Sequence, residues 1–164
     1  MNEPLELFAR AAVIGAAGSA LIDIWSLALR HWFHVRTLDY AMVGRWLGHM
    51  PKGRIAHERI GASPAVRGER PLGWIAHYAI GISFALVLLL IEGHDWAHSP
   101  TLAPALIVGL ATIAAPWFVM QPAFGMGIAG SRTPNPWPGR LRNLGTHAVY
   151  GVGLYLTAVA ISGV

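Results

Sequence analysis

Four long apolar segments constrain the fold of this chain more than any other feature of its 164 residues. They run from Ala11 to Leu29, from Leu72 to Ile91, from Thr101 to Gly130 and from Asn143 to Val164. Asp23 is the only charged side chain within them, and each is close to or above the roughly 20 apolar residues that cross a bilayer as a helix. The pattern predicts an all-α polytopic membrane protein, a four-helix bundle with one integral domain over residues 1–164. The predicted helices lie at about residues 8–30, 72–92, 101–122 and 142–163.

The composition excludes the soluble classes of protein. Hydrophobic residues make up 54% of the chain and charged residues 12%, which is about half the charged share of an average globular domain. So few charges do not cover the surface of a soluble domain, and they exclude a nucleic-acid partner despite the formal net charge of +4. The chain has no cysteine, so disulfides, zinc–thiolate sites and iron–sulfur clusters are excluded.

The basic residues predict how the helices are oriented. Eight of the 12 lysines and arginines lie between the first and second apolar segments, and three lie between the third and fourth. Because cytoplasmic loops are rich in lysine and arginine, residues 31–71 and 130–141 are predicted to be cytoplasmic and both termini to face outside. Arginines in such loops bind the headgroups of anionic lipids. The candidates are Arg30, Arg36, Arg45, Arg54, Arg140 and Arg142.

Two stretches depart from a simple helix-and-loop pattern. Between Leu38 and Met50 the apolar residues recur on one helical face, which predicts a short amphipathic, interfacial helix in the first cytoplasmic loop. The third apolar segment is too long for one crossing, since about thirty residues extend about 45 Å as a helix against a hydrocarbon core of about 30 Å. Pro116 and Pro122 predict a kink and a break there, with residues 124–130 at the interface or folded back.

Four polar residues, here called the polar layer, are predicted to share one level of the membrane. One comes from each helix: Asp23, His77, Gln121 and His147. They lie roughly 8–13 Å from the cytoplasmic helix ends, counted at about 1.5 Å per residue. Small residues recur beside them at helical spacing and mark the packed faces of membrane helices. We therefore expect these side chains to face one another, and ionisable residues inside a membrane are functional candidates.

Several kinds of chemistry fit the polar layer. Two imidazoles and a carboxylate suit a divalent transition metal such as zinc, iron, nickel or manganese. The metal-ligand candidates are Asp23, His77 and His147, with His57 closing over them from the first loop. Without a metal, an Asp–His pair is a proton relay, and the two histidines also suit axial ligation of a haem b. A pocket for a small polar solute and a purely structural role stay open as well.

Histidines outside the predicted helices give weaker signals. The connection between the second and third segments holds Glu92, His94, Asp95 and His98, a set suited to collecting divalent cations. A solvated tight loop is the interpretation that we favour for it. His49 lies on the other side of a Pro–Lys–Gly turn from His57, so this part of the first loop is a candidate lid over the polar layer.

Three functions follow from these features. The first is transport or binding of a cation or small polar solute, linked to a proton or a metal. The second is a metal- or haem-dependent membrane enzyme or redox subunit, and the third is a structural or assembly factor. Because four helices rarely enclose a full pathway, we expect a homo-oligomer or a partner membrane subunit, in contact with phospholipids.

Four stretches carry a resemblance to known proteins. They are GRWLGHMPKGRIAHERI in the first loop, GERPLGWIAHYAIGI entering the second helix, PALIVGLATIAAPWFVMQPAFGMGIAGSRTPNP in the third and HAVYGVGLYL in the fourth. In that order the chain resembles a family of small four-helix bacterial inner-membrane proteins catalogued as a domain of unknown function. The resemblance implies the same topology and a multi-pass location in the bacterial inner membrane, and it implies no reaction.

Overall fold

The computed structural model describes residues 3–163, and every regular element in that range is helical. The α-helices are α1 (Glu3–Phe33), α2 (Tyr40–His49), α3 (Glu69–His98), α4 (Leu102–Ala111), α5 (Gln121–Ala123) and α6 (Pro136–Ile161). Within the described residues, four stretches are long and apolar enough to cross a membrane: Glu3–Phe33, Glu69–His98, Leu102–Ala123 and Pro136–Ile161. The predicted all-α class and the four predicted spans are confirmed, and they indicate a membrane protein.

The contacts divide the chain into two compact units. Over the described residues, the first unit comprises 3–37, 78–112 and 145–163, and the second comprises 38–77 and 113–144. In the first unit, glycines let helix backbones touch: a Cβ on Gly15 would lie 2.5 Å from the Cα of Ile82, and one on Gly109 would lie 2.5 Å from the Cα of Gly151. Small residues therefore form the helix contacts of this unit, as membrane packing favours.

The far end of α3 continues beyond its predicted limit near residue 92. Gly93 is non-helical, with φ 80° and ψ 179°, and a helical turn follows it through His98. Glycine adopts this positive φ freely, so the chain bends there and resumes helical pairing. The segment that we expected to be a solvated loop is thus helical. His94 and His98, four residues apart, share one face of that turn.

The third span is interrupted, as its prolines predict. α4 ends at Ala111 and is followed by a π-helix at Ala115–Met120. Pro116 lies in that π-helix and has no N–H for an i→i−4 hydrogen bond, so the regular α-helical pattern cannot continue through it. After α5 the chain folds back, with the Arg132 N–H donating to the Met126 carbonyl at 2.8 Å.

Arg45 organises the loop of the second unit. Its Nε donates to Glu69 Oε2 at 2.9 Å and its Nη2 to Glu69 Oε1 at 2.8 Å. Its Nη1 donates to the carbonyls of Ile60, Gly61 and Ser63 at 3.1–3.3 Å. We expected Arg45 to bind lipid headgroups, but its guanidinium donates hydrogen bonds to Glu69 and to backbone carbonyls of the loop. The connection between α2 and α3 is therefore a folded segment.

The predicted amphipathic helix is confirmed as α2. The Asp39 side chain caps its first turn by accepting a backbone N–H at 3.0 Å. Against the start of α3 there is no room for a side chain: a Cβ on Gly44 would overlap the Glu69 carbonyl, and one on Gly73 would overlap the Tyr40 carbonyl. The two helix backbones are therefore in direct contact at this crossing.

Candidate metal centre

Three side chains with metal-ligand atoms, here called the outer triad, meet where the turn after Gly93 lies against α1. The Nε2 atoms of His94 and His98 are 3.3 Å apart, and each lies 3.5 Å from Glu6 Oε1. Among the described residues, this is the one group of three histidine or acidic side chains whose ligand atoms all lie within 4.8 Å of one another. The side chains are 43%, 38% and 25% exposed for His94, His98 and Glu6, so a dissolved ion has access to them.

Arg10 positions the carboxylate of the outer triad. It lies one turn after Glu6 on α1, and its Nε donates to Glu6 Oε1 at 2.9 Å. Its Nη1 donates to the Ile161 carbonyl at 3.0 Å, at the end of α6. The Arg10 side chain is only 8% exposed, so this arrangement is held by packing as well as by charge. A hydrogen-bonded partner of this kind orients a metal-binding carboxylate and tunes its affinity.

The residues of the predicted polar layer divide between the two units. In the first unit, Tyr78 Oη donates to Asp23 Oδ2 at 2.8 Å. Thr112 Oγ1 lies 2.7 Å from His147 Nδ1, and it also donates to a backbone carbonyl of its own helix at 2.6 Å. The hydroxyl of Thr112 has a single proton, so His147 Nδ1 carries the proton of their shared bond. Hydroxyl groups thus pair with Asp23 and His147, the two polar-layer residues of this unit.

In the second unit, His77 lies among aromatic rings. Tyr40 Oη is 3.2 Å from His77 Nε2, and the two rings stack with centroids 4.3 Å apart. The Trp74 ring meets His77 edge-on at 5.9 Å. Gln121 is 8% exposed, and its Oε1 has no hydrogen-bond partner among the described residues. The polar layer as one shared site stays a prediction.

Most of the helical region matches a known protein family. A family model described as "Protein of unknown function (DUF2938)" matches residues 12–161. The chain belongs to this family. The resemblance to a family of unknown function, inferred from the loop and helix motifs, is thereby confirmed, whereas the bacterial inner-membrane location stays a prediction. No curated protein and no solved structure matches the chain significantly.

The DUF2938 match includes only part of the outer triad. His94 and His98 lie inside the matched range, whereas Glu6 and Arg10 precede it. The sequence pattern pointed to His94 and His98 as candidates for divalent cations but gave no sign of Glu6. The spacing of four residues between the histidines could have indicated that they share a helix face, but only if the helix were known to resume after Gly93.

A second histidine pair in this DUF2938 protein is buried. His49 Nδ1 and His57 Nε2 lie 2.8 Å apart, and the residues are 4% and 7% exposed. The two imidazole rings are stacked, with centroids 5.0 Å apart. The other ring nitrogen of His57, Nδ1, is buried and has no hydrogen-bond partner among the described residues. The predicted role of His57 as a metal ligand or lid stays a prediction.

We expect this pair to make the protein less stable in mild acid. Burial lowers the pKa of His49 from its ordinary value of 6.5, and the neighbouring His57, Arg54 and Lys52 lower it further. The unfolded chain therefore binds a proton at a higher pH than the folded chain does. The stabilisation is complete above the unfolded pKa and is lost as the pH falls through and below it.

The measurement is the melting temperature of the purified protein between about pH 7.5 and about pH 5.5. His49→Gln should show a smaller loss over this range than wild type, because it has no such proton to take up. His31→Gln, on an exposed face of α1, is the matched control and should follow the wild-type curve. Equal acid sensitivity in wild type and His49→Gln would show that His49 is not the group that makes the protein less stable in mild acid.

Proposed function

We propose that this protein transports a divalent transition-metal cation, which first binds at the outer triad. The observation that carries the proposal is the convergence of two imidazole nitrogens and one carboxylate oxygen within 3.5 Å of one another. Histidine and carboxylate together are ligands for such metals. The concentration of arginine in the other loops supports an outside location for this end of the membrane helices.

The polar pairs inside the first unit support transport rather than a purely structural site. Asp23 with Tyr78, and His147 with Thr112, lie in α1, α3, α4 and α6 or directly beside them. An ionisable residue at membrane depth is costly, and it commonly serves an ion or proton pathway. A cation taken up at the outer triad needs such groups to replace its water of hydration.

The test is zinc uptake into proteoliposomes that contain the purified protein and an entrapped metal-sensitive dye. We expect protein-dependent uptake, and we expect Glu6→Gln to reduce its initial rate by about tenfold or more, since even an outer partner of a metal ligand is worth 10–100-fold. Glu92→Gln is the matched control, because it removes an exposed carboxylate from α3 outside the outer triad.

Two outcomes would contradict the proposal. If uptake by wild type is no faster than uptake by protein-free liposomes, the protein does not transport zinc. If wild type and Glu6→Gln take up zinc equally fast, the outer triad is not the site where the cation first binds. His98→Gln, which changes a side chain that is 38% exposed, provides a second variant if the first does not purify as a folded protein.

A further inference from the structure

The spacing of the ligand atoms in the outer triad carries information about the ion itself. We infer that the outer triad selects a four-coordinate ion of the zinc class, held by three protein ligands with the fourth position open. This inference rests on the proposed function and names its substrate class. Its basis is a triangle of atoms, Glu6 Oε1, His94 Nε2 and His98 Nε2, with sides of 3.3, 3.5 and 3.5 Å.

The sides of this triangle match a tetrahedral site. Zinc lies about 2.0–2.1 Å from histidine nitrogen and about 2.0–2.2 Å from carboxylate oxygen, which at the tetrahedral angle puts neighbouring ligand atoms about 3.3–3.5 Å apart. An octahedral ion with ligands at about 2.0–2.1 Å, such as magnesium, needs neighbouring ligand atoms only about 2.8–3.0 Å apart. The sides of the triangle are all longer than that, so the spacing of the ligand atoms suits the tetrahedral arrangement better than the octahedral one.

Donor chemistry excludes the one hard ion that the distances allow. Calcium ligands lie at about 2.3–2.6 Å, and neighbouring octahedral positions are then about 3.3–3.7 Å apart, which overlaps the observed sides. Calcium, however, takes 6–8 oxygen ligands, whereas two of the three donors here are imidazole nitrogens. The combination of distance and donor type therefore favours the zinc class over magnesium and calcium.

Two features fix the three ligands before an ion arrives. After the bend at Gly93, the last turn of α3 carries His94 and His98 next to Glu6. The spacing of four residues places the two histidines on one face of that turn. Arg10 holds the same Glu6 oxygen at 2.9 Å and is itself anchored on the Ile161 carbonyl. A site set up in this way loses little freedom when the ion binds.

Three protein ligands are also the number that suits an exchangeable ion. Structural zinc sites are closed by four protein ligands, whereas sites that keep one position open admit water or another ligand. Among the described residues no fourth histidine or acidic side chain joins the outer triad within the same distance. An incoming ligand can therefore reach the ion and help to remove it, as a transport site requires.

The test is the visible absorption spectrum of the purified protein loaded with cobalt(II), followed by titration with zinc. Four-coordinate cobalt(II) absorbs intensely in the visible range, whereas six-coordinate cobalt(II) absorbs weakly. We expect one equivalent of cobalt with the intense spectrum, and we expect one equivalent of zinc to abolish it. His94→Gln and His98→Gln should each lose the signal, while His31→Gln should retain it.

The outcomes separate this inference from the proposed function. Weak, six-coordinate absorption, or displacement by magnesium or calcium as readily as by zinc, overturns the inference while metal binding and transport stand. Absence of both cobalt and zinc binding overturns the inference and the proposed function together, and leaves an ion-pair cluster. An intense spectrum that survives in both His94→Gln and His98→Gln assigns the tetrahedral site to other residues and also overturns the inference.

Discussion

Replacing Gly44 by alanine is expected to destabilise the protein by about 3 kcal/mol or more. The added Cβ would overlap the backbone carbonyl of Glu69, and backbone cannot move aside as the end of a flexible side chain does. Overpacking in a well-packed site costs about 1–3 kcal/mol and more where the neighbour is rigid. We expect the melting temperature in detergent to fall by roughly 5–10 °C and the yield of monodisperse protein to fall with it.

A matched control for Gly44→Ala lies within α6. A Cβ on Gly139 would meet no atom within 4 Å, so Gly139→Ala is expected to leave stability unchanged or to raise it slightly through helix propensity. Gly73→Ala is the reciprocal test, because its Cβ would overlap the Tyr40 carbonyl. Normal stability of both Gly44→Ala and Gly73→Ala would mean that α2 does not cross α3 at this distance.

The second large effect is expected from Arg45→Lys, which keeps the positive charge but loses the planar guanidinium that contacts both oxygens of Glu69. Lysine cannot replace the two-pronged contact with Glu69 while also reaching the loop carbonyls, since its charge is a single point. Hydrogen bonds to charged groups are worth about 1.5–3 kcal/mol, and both side chains are mostly buried, at 16% and 17% exposed. We expect a loss of about 2–3 kcal/mol, with faster proteolysis of the segment between α2 and α3.

Two comparisons make the Arg45 prediction specific. Arg36→Lys changes an exposed arginine and should leave both the melting temperature and the protease pattern unchanged. Arg45→Met should be worse than Arg45→Lys because it strands the Glu69 carboxylate, and adding Glu69→Met should recover part of that loss. An unaltered protease pattern in Arg45→Lys would show that these hydrogen bonds do not hold the loop.

The membrane helices were predictable because their cause is local. Each span is a run of apolar residues long enough to cross a bilayer, and this property depends on no other part of the chain. The interruption of the third span was predictable for the same reason, since Pro116 cannot donate the hydrogen bond that an α-helix requires. Small residues also marked real helix contacts, as at Gly15.

The outer triad and the Arg45 contacts were not predictable because their cause is non-local. Glu6 and His94 are far apart in sequence, and no local pattern tells which charge at one helix end meets which histidine at another. The extension of α3 depended on whether Gly93 bends the helix or ends it, and glycine permits both. Arg45 resembled any loop arginine until its acceptor, Glu69, was known.

The polar layer shows a similar limit. Equal depth suggested that Asp23 and His147 belong together, but depth alone does not fix the direction of a side chain or its partner. In the structure, Asp23 is hydrogen-bonded to the hydroxyl of Tyr78, and His147 is hydrogen-bonded to the hydroxyl of Thr112. Neutral hydroxyls were not weighed as partners because they are less costly to bury and so give a weaker sequence signal.

The most direct test of the central claim is anomalous X-ray diffraction at the zinc absorption edge, from crystals of the protein grown with zinc. We expect one strong peak about 2.0–2.2 Å from Glu6 Oε1, His94 Nε2 and His98 Nε2, absent from crystals of His98→Gln. A zinc-loaded crystal with no peak among those three atoms, or with its strongest peak at Asp23 and the histidines of the polar layer, would contradict it.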